Sequence, residues 1–131
     1  MTLEQLERCR FAKGEIQSLR YRIDIIQSDL ERMTKTLTGM PSGKNNNQSR
    51  IEELIPKLIE LQEELAEKEY QREQEVKEVE AWIETLKPHQ QDVVRMRYIE
   101  GRKWRQIARK LNYTKDGAIK INKAAREKIE K

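Results

Sequence analysis

From Leu3 to Leu37 the chain holds no proline and one glycine, Gly14, while its apolar residues return at alternating steps of three and four. Cys9, Ala12, Ile16, Leu19, Ile23, Ile26, Leu30, Met33 and Leu37 form the series. That step draws one apolar stripe along an α-helix, the seam of a coiled coil, and is out of phase with the two-residue alternation of a strand. Thr38 to Gln48 then breaks the period with two glycines, a proline and three asparagines, which predicts a loop over 39–48. Ser49 with Glu52 three residues on has the form of a capping box that restarts a helix.

The second helix repeats the seam at Ile51, Leu54, Leu58, Leu61 and Leu65. Pro56 lies inside it, so either the first turns kink or the regular helix begins near Ile55. The seam turns polar at Glu69, Arg72 and Glu73 and resumes at Val76, Val79, Ile83 and Leu86 with a change of phase, as a stutter produces. Residues 1–86 are therefore expected to form a long antiparallel helical (coiled-coil) hairpin, with helices over about 2–38 and 49–86. Such a hairpin is a spacer or an oligomerisation module. One two-helix seam buries little apolar area, which favours a homodimer in which two hairpins make a four-helix arrangement. Leu3, Leu6 and Phe11 lie partly off the seam and are candidates for that second contact. Cys9 sits in seam phase and reads as a small buried apolar residue, and 44–48 reads as a flexible tip.

Charge divides the chain. The first 86 residues carry 13 Lys and Arg against 18 Asp and Glu, whereas residues 87–131 carry 14 against 5. A basic tail on an acidic helical body is the electrostatic mark of a polyanion partner. Within the tail, Pro88 opens a helix after a bend at Leu86 and Lys87, and Glu100-Gly101 ends it. Trp104–Leu111 makes a short helix with Ile107, Ala108 and Leu111 on a buried face. Asn112-Tyr113-Thr114 breaks it, and Thr114 caps a last helix from Lys115 to about Ile129. A short helix, a three-residue turn and a longer basic helix have the proportions of a DNA-binding helix-turn-helix. Ala118, Ile121, Ala125 and Ile129 are expected to pack on Ile107, Leu111 and Tyr98. Lys115, Asp116, Ile119, Lys120 and Lys123 fall on the opposite face.

Pro88 to Tyr98, then Gly101, Trp104-Arg105-Gln106-Ile107-Ala108, Leu111, and Ala118 to Ile129 resemble the C-terminal promoter-reading (region four) domain of bacterial sigma factors. Joined to a long helical hairpin, that tail resembles phage late-transcription regulators of the ArpU and RinA kind. No other sigma-factor region is visible. The resemblance implies an all-α protein that reads late-gene promoters in a bacterial host's cytoplasm, with Lys115, Asp116 and Ile119 at the positions that reach base edges. Asp116 suits a cytosine amino group and Ile119 a thymine methyl. Related domains often carry arginine on this face, so lysines and an isoleucine leave the base preference open.

Arg102, Lys103, Arg105, Lys120 and Lys123, with the Thr114 hydroxyl and the helix N-terminus beside it, suit phosphate contacts. Trp104 reads as an anchor for its helix, and Trp82 as packing where hairpin meets tail. No nucleophile with a base, metal set or phosphate loop is present, and Glu63 and Glu64 belong to a solvated helix face, so no catalysis and no cofactor is expected. His89 has no cysteine partner nearby and no metal role is expected. One cysteine fits a reducing compartment, and no apolar run approaches the roughly 20 residues of a membrane span. The expected partners are double-stranded DNA and a second copy of the chain, with RNA polymerase as a further candidate. Two other readings stay open: a DNA-recognition subunit of a phage packaging machine, and a module that grips RNA polymerase alone.

Overall fold

The computed structural model describes residues 1–39 and 45–129. Their regular structure is all helical: α1 (Leu3–Gly39), α2 (Asn45–Ile83), α3 (Pro88–Val94) running on into a π-helical turn over Arg95–Ile99, α4 (Trp104–Leu111) and α5 (Lys115–Arg126). The protein is all-α. Contacts divide it into two compact units, one of Met1–Glu15 with Tyr70–Lys131 and one of Ile16–Glu69. Residues 87–131 thus share a unit with the start of α1 and the end of α2.

In the Ile16–Glu69 unit, Leu19 and Ile23 of α1 meet Leu61 of α2, flanked by Ile26, Leu58 and Leu65. Arg20 and Glu69 form an ion pair at 2.6 Å, exposed enough to count for less than about 1 kcal/mol. The apolar seam therefore carries this pairing, at roughly 1.5–3 kcal/mol for each fully buried aliphatic side chain.

In the other unit the antiparallel order shows directly: Gln5 Nε2 donates to Glu78 at 3.2 Å and Arg8 pairs with Glu75 at 3.0 Å. Here Leu6 and Cys9 of α1 and Val79, Ile83 and Leu86 enclose Val94, Tyr98 and Ala125 of the tail in one core. A second core joins Val93 of α3 to Ile107 and Ala108 of α4 and Ala118 of α5, with Met96, Trp104, Leu111 and Ile121 at its margin. Burial pushes the Cys9 thiol above its ordinary pKa, which keeps it protonated and unreactive.

Several boundaries differ from those expected. α2 begins at Asn45, so Ser49 lies inside a helix already under way and does not cap one. The expected 39–48 loop is helical at Gly39 and from Asn45 on, and its remaining part, 40–44, lies outside the described residues. α2 runs through Pro56 and loses the hydrogen bond to Glu52 that a proline cannot donate, at a site where both residues are solvent-exposed. It ends at Ile83 rather than Leu86. Lys87 precedes a proline and must be extended (φ −67°, ψ 150°), and Thr85 Oγ1 closes the end by donating to Trp82 O at 2.6 Å. α5 stops at Arg126 rather than Ile129, in tight turns where Lys128 N bonds Ala125 O and Ile129 N bonds Arg126 O. Leu6, expected partly off the seam, is wholly buried, while Leu3 and Phe11 are exposed.

Candidate nucleic-acid interface

The tail's geometry follows from its turn residues. The π-helical turn, closed by Glu100 N donating to Arg95 O at 3.0 Å, shifts the side chains after Val94 by about one residue against a regular helix. Gly101 then takes a left-handed φ of 67°, and Arg102 N returns to Met96 O at 3.0 Å. A Cβ at Gly101 would also stand 3.3 Å from Lys13 Cδ. α4 ends at Asn112 (φ 59°), a residue that tolerates this conformation, with Tyr113 N donating to Ala108 O at 2.9 Å. Thr114 Oγ1 accepts from Gly117 N at 3.0 Å and so caps α5. Any Cβ at Gly117 would press on that hydroxyl at 3.0 Å, so the glycine keeps the cap open.

α5 has two faces. Ala118, Asn122 and Ala125 are buried. Lys115, Asp116, Lys120 and Lys123 are solvent-exposed on the other side, and Ile119 between them is half-exposed and belongs to none of the cores. Among the described residues Lys103, Arg105, Lys115, Lys120 and Lys123 enter no ion pair. Arg102 is paired with Glu100 at 2.8 Å, a half-exposed bond that an incoming anion can displace at small cost. The candidate residues thus fall in two groups: Arg102, Lys103 and Arg105 around the start of α4, and Thr114 to Lys123 on α5. Among the described residues no His, Cys, Asp and Glu side chains converge to hold a metal ion. No described helix is long and apolar enough to cross a membrane.

The support beneath α5 was only partly visible beforehand. Tyr98, the largest fully buried side chain, accepts from Asn122 Nδ2 at 3.0 Å, joining α5 to the π-helical turn, while Asn122 Oδ1 has no partner. Arg95 grips Glu80 through two bonds of 3.1 and 3.0 Å, and the Glu80 carboxylate raises the Arg95 pKa. Arg72, in the polar gap of the α2 seam, donates Nε to Cys9 O at 3.2 Å and Nη2 to Ile99 O at 2.6 Å. Lys13 Nζ donates to Glu100 O at 2.6 Å. The tail is therefore clamped to the paired ends of α1 and α2 at several independent points. The charged gap at Glu69, Arg72 and Glu73 was the visible signal, since a guanidinium at a seam position needs a partner there. Trp82 packs against the core that joins the helix ends to the tail, and Trp104 against the α3–α5 core.

Residues 13–131 match a family model described as "Protein of unknown function (DUF722)". The chain belongs to the DUF722 family. No curated protein and no solved structure matches it. The match takes in α1 from Lys13 on and all of α2 to α5 of this DUF722 protein, including all residues of the candidate interface.

Proposed function

We propose that this DUF722 protein is a sequence-specific, double-stranded-DNA-binding transcriptional regulator. The observation that carries the proposal is the basic face of α5, free of ion pairs among the described residues and presented behind a three-residue turn on a core shared with α3 and α4. Lysines at 120 and 123 without carboxylate partners release counterions when they meet phosphates, and Lys115, Asp116 and Ile119 beside them offer base-specific chemistry. The resemblance of residues 88–129 to the sigma-factor promoter-reading domain directs the reading toward late-gene promoters, with RNA polymerase as an associated partner. The test is a set of binding titrations on duplexes recovered from a genome-wide pull-down. Replacing Asp116 and Ile119 together with alanine is expected to narrow the affinity gap between preferred and unrelated duplexes by about 10-fold or more, at roughly 1–3 kcal/mol per lost base contact. Lys123→Ala is expected to weaken all duplexes alike. Equal loss on every duplex from the Asp116 and Ile119 pair would remove their assigned role.

A homodimer is part of the proposal. In the Ile16–Glu69 unit Tyr21, Ile25, Ile55 and Ile59 are 43–68% exposed, beside a seam core of three buried residues. That seam is too small to hold two helices of this length alone, and a second copy offers the same apolar stripes in return. Solution mass is expected at twice 15.7 kDa, falling to the monomer value in Tyr21→Glu with Ile59→Glu. A ring-sized mass would favour the packaging-subunit reading instead.

A further inference from the structure

We infer that the DNA-binding surface extends beyond α4 and α5 onto a second basic site, in which Arg10 of α1 and Arg97 of the π-helical turn clamp a backbone phosphate flanking the α5 contact. This rests on the DNA-binding reading of the tail. The two arginines are 87 positions apart in sequence, and their segments are drawn together by Lys13, one turn beyond Arg10, which donates to Glu100 O at 2.6 Å, and by Arg72, which donates to both Cys9 O and Ile99 O.

Each guanidinium lies over an aromatic ring. Arg97 Cζ lies 4.5 Å from the Trp104 ring centroid and Arg10 Cζ lies 4.4 Å from that of Phe11, itself 56% exposed. A guanidinium over a ring keeps its N–H groups at the ring's margin, where those not already bonded can turn to phosphate oxygens. Arg97 uses Nη1 on Arg102 O at 3.2 Å and, among the described residues, pairs with no carboxylate. Arg10 is bonded to Glu7 through a single carboxylate oxygen, at 3.2 and 3.0 Å. The two cations also oppose one another: burial and then the Arg10 charge lower the pKa of Arg97, with Glu7 offsetting this in part. A half-buried guanidinium held next to a like charge is an arrangement that an added anion relieves.

Continuity selects DNA over an acidic protein segment. Arg97 touches both Arg102 and Trp104, so the site adjoins Lys103 and Arg105, the phosphate-contact candidates at the start of α4. Arg10, Lys13, Arg97, Arg102 and Lys103 stand against Glu7 and Glu100, leaving the patch net positive. A duplex laid on α5 presents phosphates at regular spacing to both groups, which an isolated acidic peptide does not.

The experiment measures the slope of log affinity against log salt for the full chain, with Arg10→Ala, Arg97→Gln, the double variant and Lys120→Ala, on one preferred and one unrelated duplex. Each arginine variant is expected to reduce the slope by about 0.9 and the double variant by about 1.8, with the preference between the duplexes unchanged. Arg97→Lys, which keeps the charge, is expected to restore most of the slope. A double variant with the wild-type slope, while Lys120→Ala lowers it, overturns this inference and leaves the tail's DNA binding standing. If no chain binds either duplex in a salt-dependent way, the DNA reading itself is overturned. Should Arg97→Gln melt early, Arg10→Ala alone decides, since Arg10 belongs to neither of the tail's cores.

Discussion

Replacing Tyr98 with alanine is expected to remove about 3–5 kcal/mol from the stability of the unit that carries the tail, the range of large aromatic truncations in a core. Tyr98 is 1% exposed and stands where α1, α2 and α5 come together, against Leu6, Ile83, Val94 and Ala125. Its loss opens a cavity among residues from four helices and leaves the Asn122 amide with no partner at all. With total stabilities of roughly 5–15 kcal/mol, such a change takes a large part of what holds α5 in place. Urea unfolding followed by tryptophan fluorescence reads it directly, since Trp82 packs on this core and Trp104 on the neighbouring one. Tyr98→Phe keeps the ring and loses the hydroxyl, and about 1–2 kcal/mol is expected. Adding Asn122→Leu to that variant is expected to recover much of the deficit, because both polar partners are then gone. If Tyr98→Ala costs less than about 1 kcal/mol, the tail does not depend on this core.

The second large effect is the salt dependence of the wild-type chain. Arg102, Lys103, Arg105, Lys120 and Lys123 as phosphate contacts set a slope of about −4.5, and Arg10 and Arg97 bring it to about −6. Raising salt from about 50 to 200 mM is then expected to weaken binding by roughly four thousandfold, within the range known for proteins with this many contacts. Fluorescence anisotropy on a labelled duplex measures it. A slope near zero is incompatible with a basic face meeting phosphate. The acidic hairpin helices add no attraction, so the slope belongs to the tail and the Arg10 edge.

Much of the fold was legible because its signals are local. The three-and-four spacing of Leu19, Ile23 and Ile26 and of Leu58, Leu61 and Leu65 is a property of one helix face, and those residues do meet. Gly101 and Thr114 act within a single turn, and both appear where their chemistry placed them. Local signals also misled. Ser49 and Glu52 have the form of a capping box, but a cap contributes only about 1 kcal/mol, and α2 starts one turn earlier, at a run of asparagines that also suits a helix start. The end of α5 was placed too late because Ile129 keeps the helical spacing of a core residue, and it does pack on the core, though from a turn.

The amino-acid sequence by itself determined that the chain is helical, where its tail turns, and which face of α5 is polar, since each depends on residues within a few positions of one another. Tertiary structure alone decided the rest. It brought Arg72 to the carbonyls of Cys9 and Ile99, joined Tyr98 to Asn122, and carried Lys13 to the carbonyl of Glu100. Those meetings need loop closures across tens of residues, whose geometry comes from how the cores pack, and no spacing along the chain encodes it.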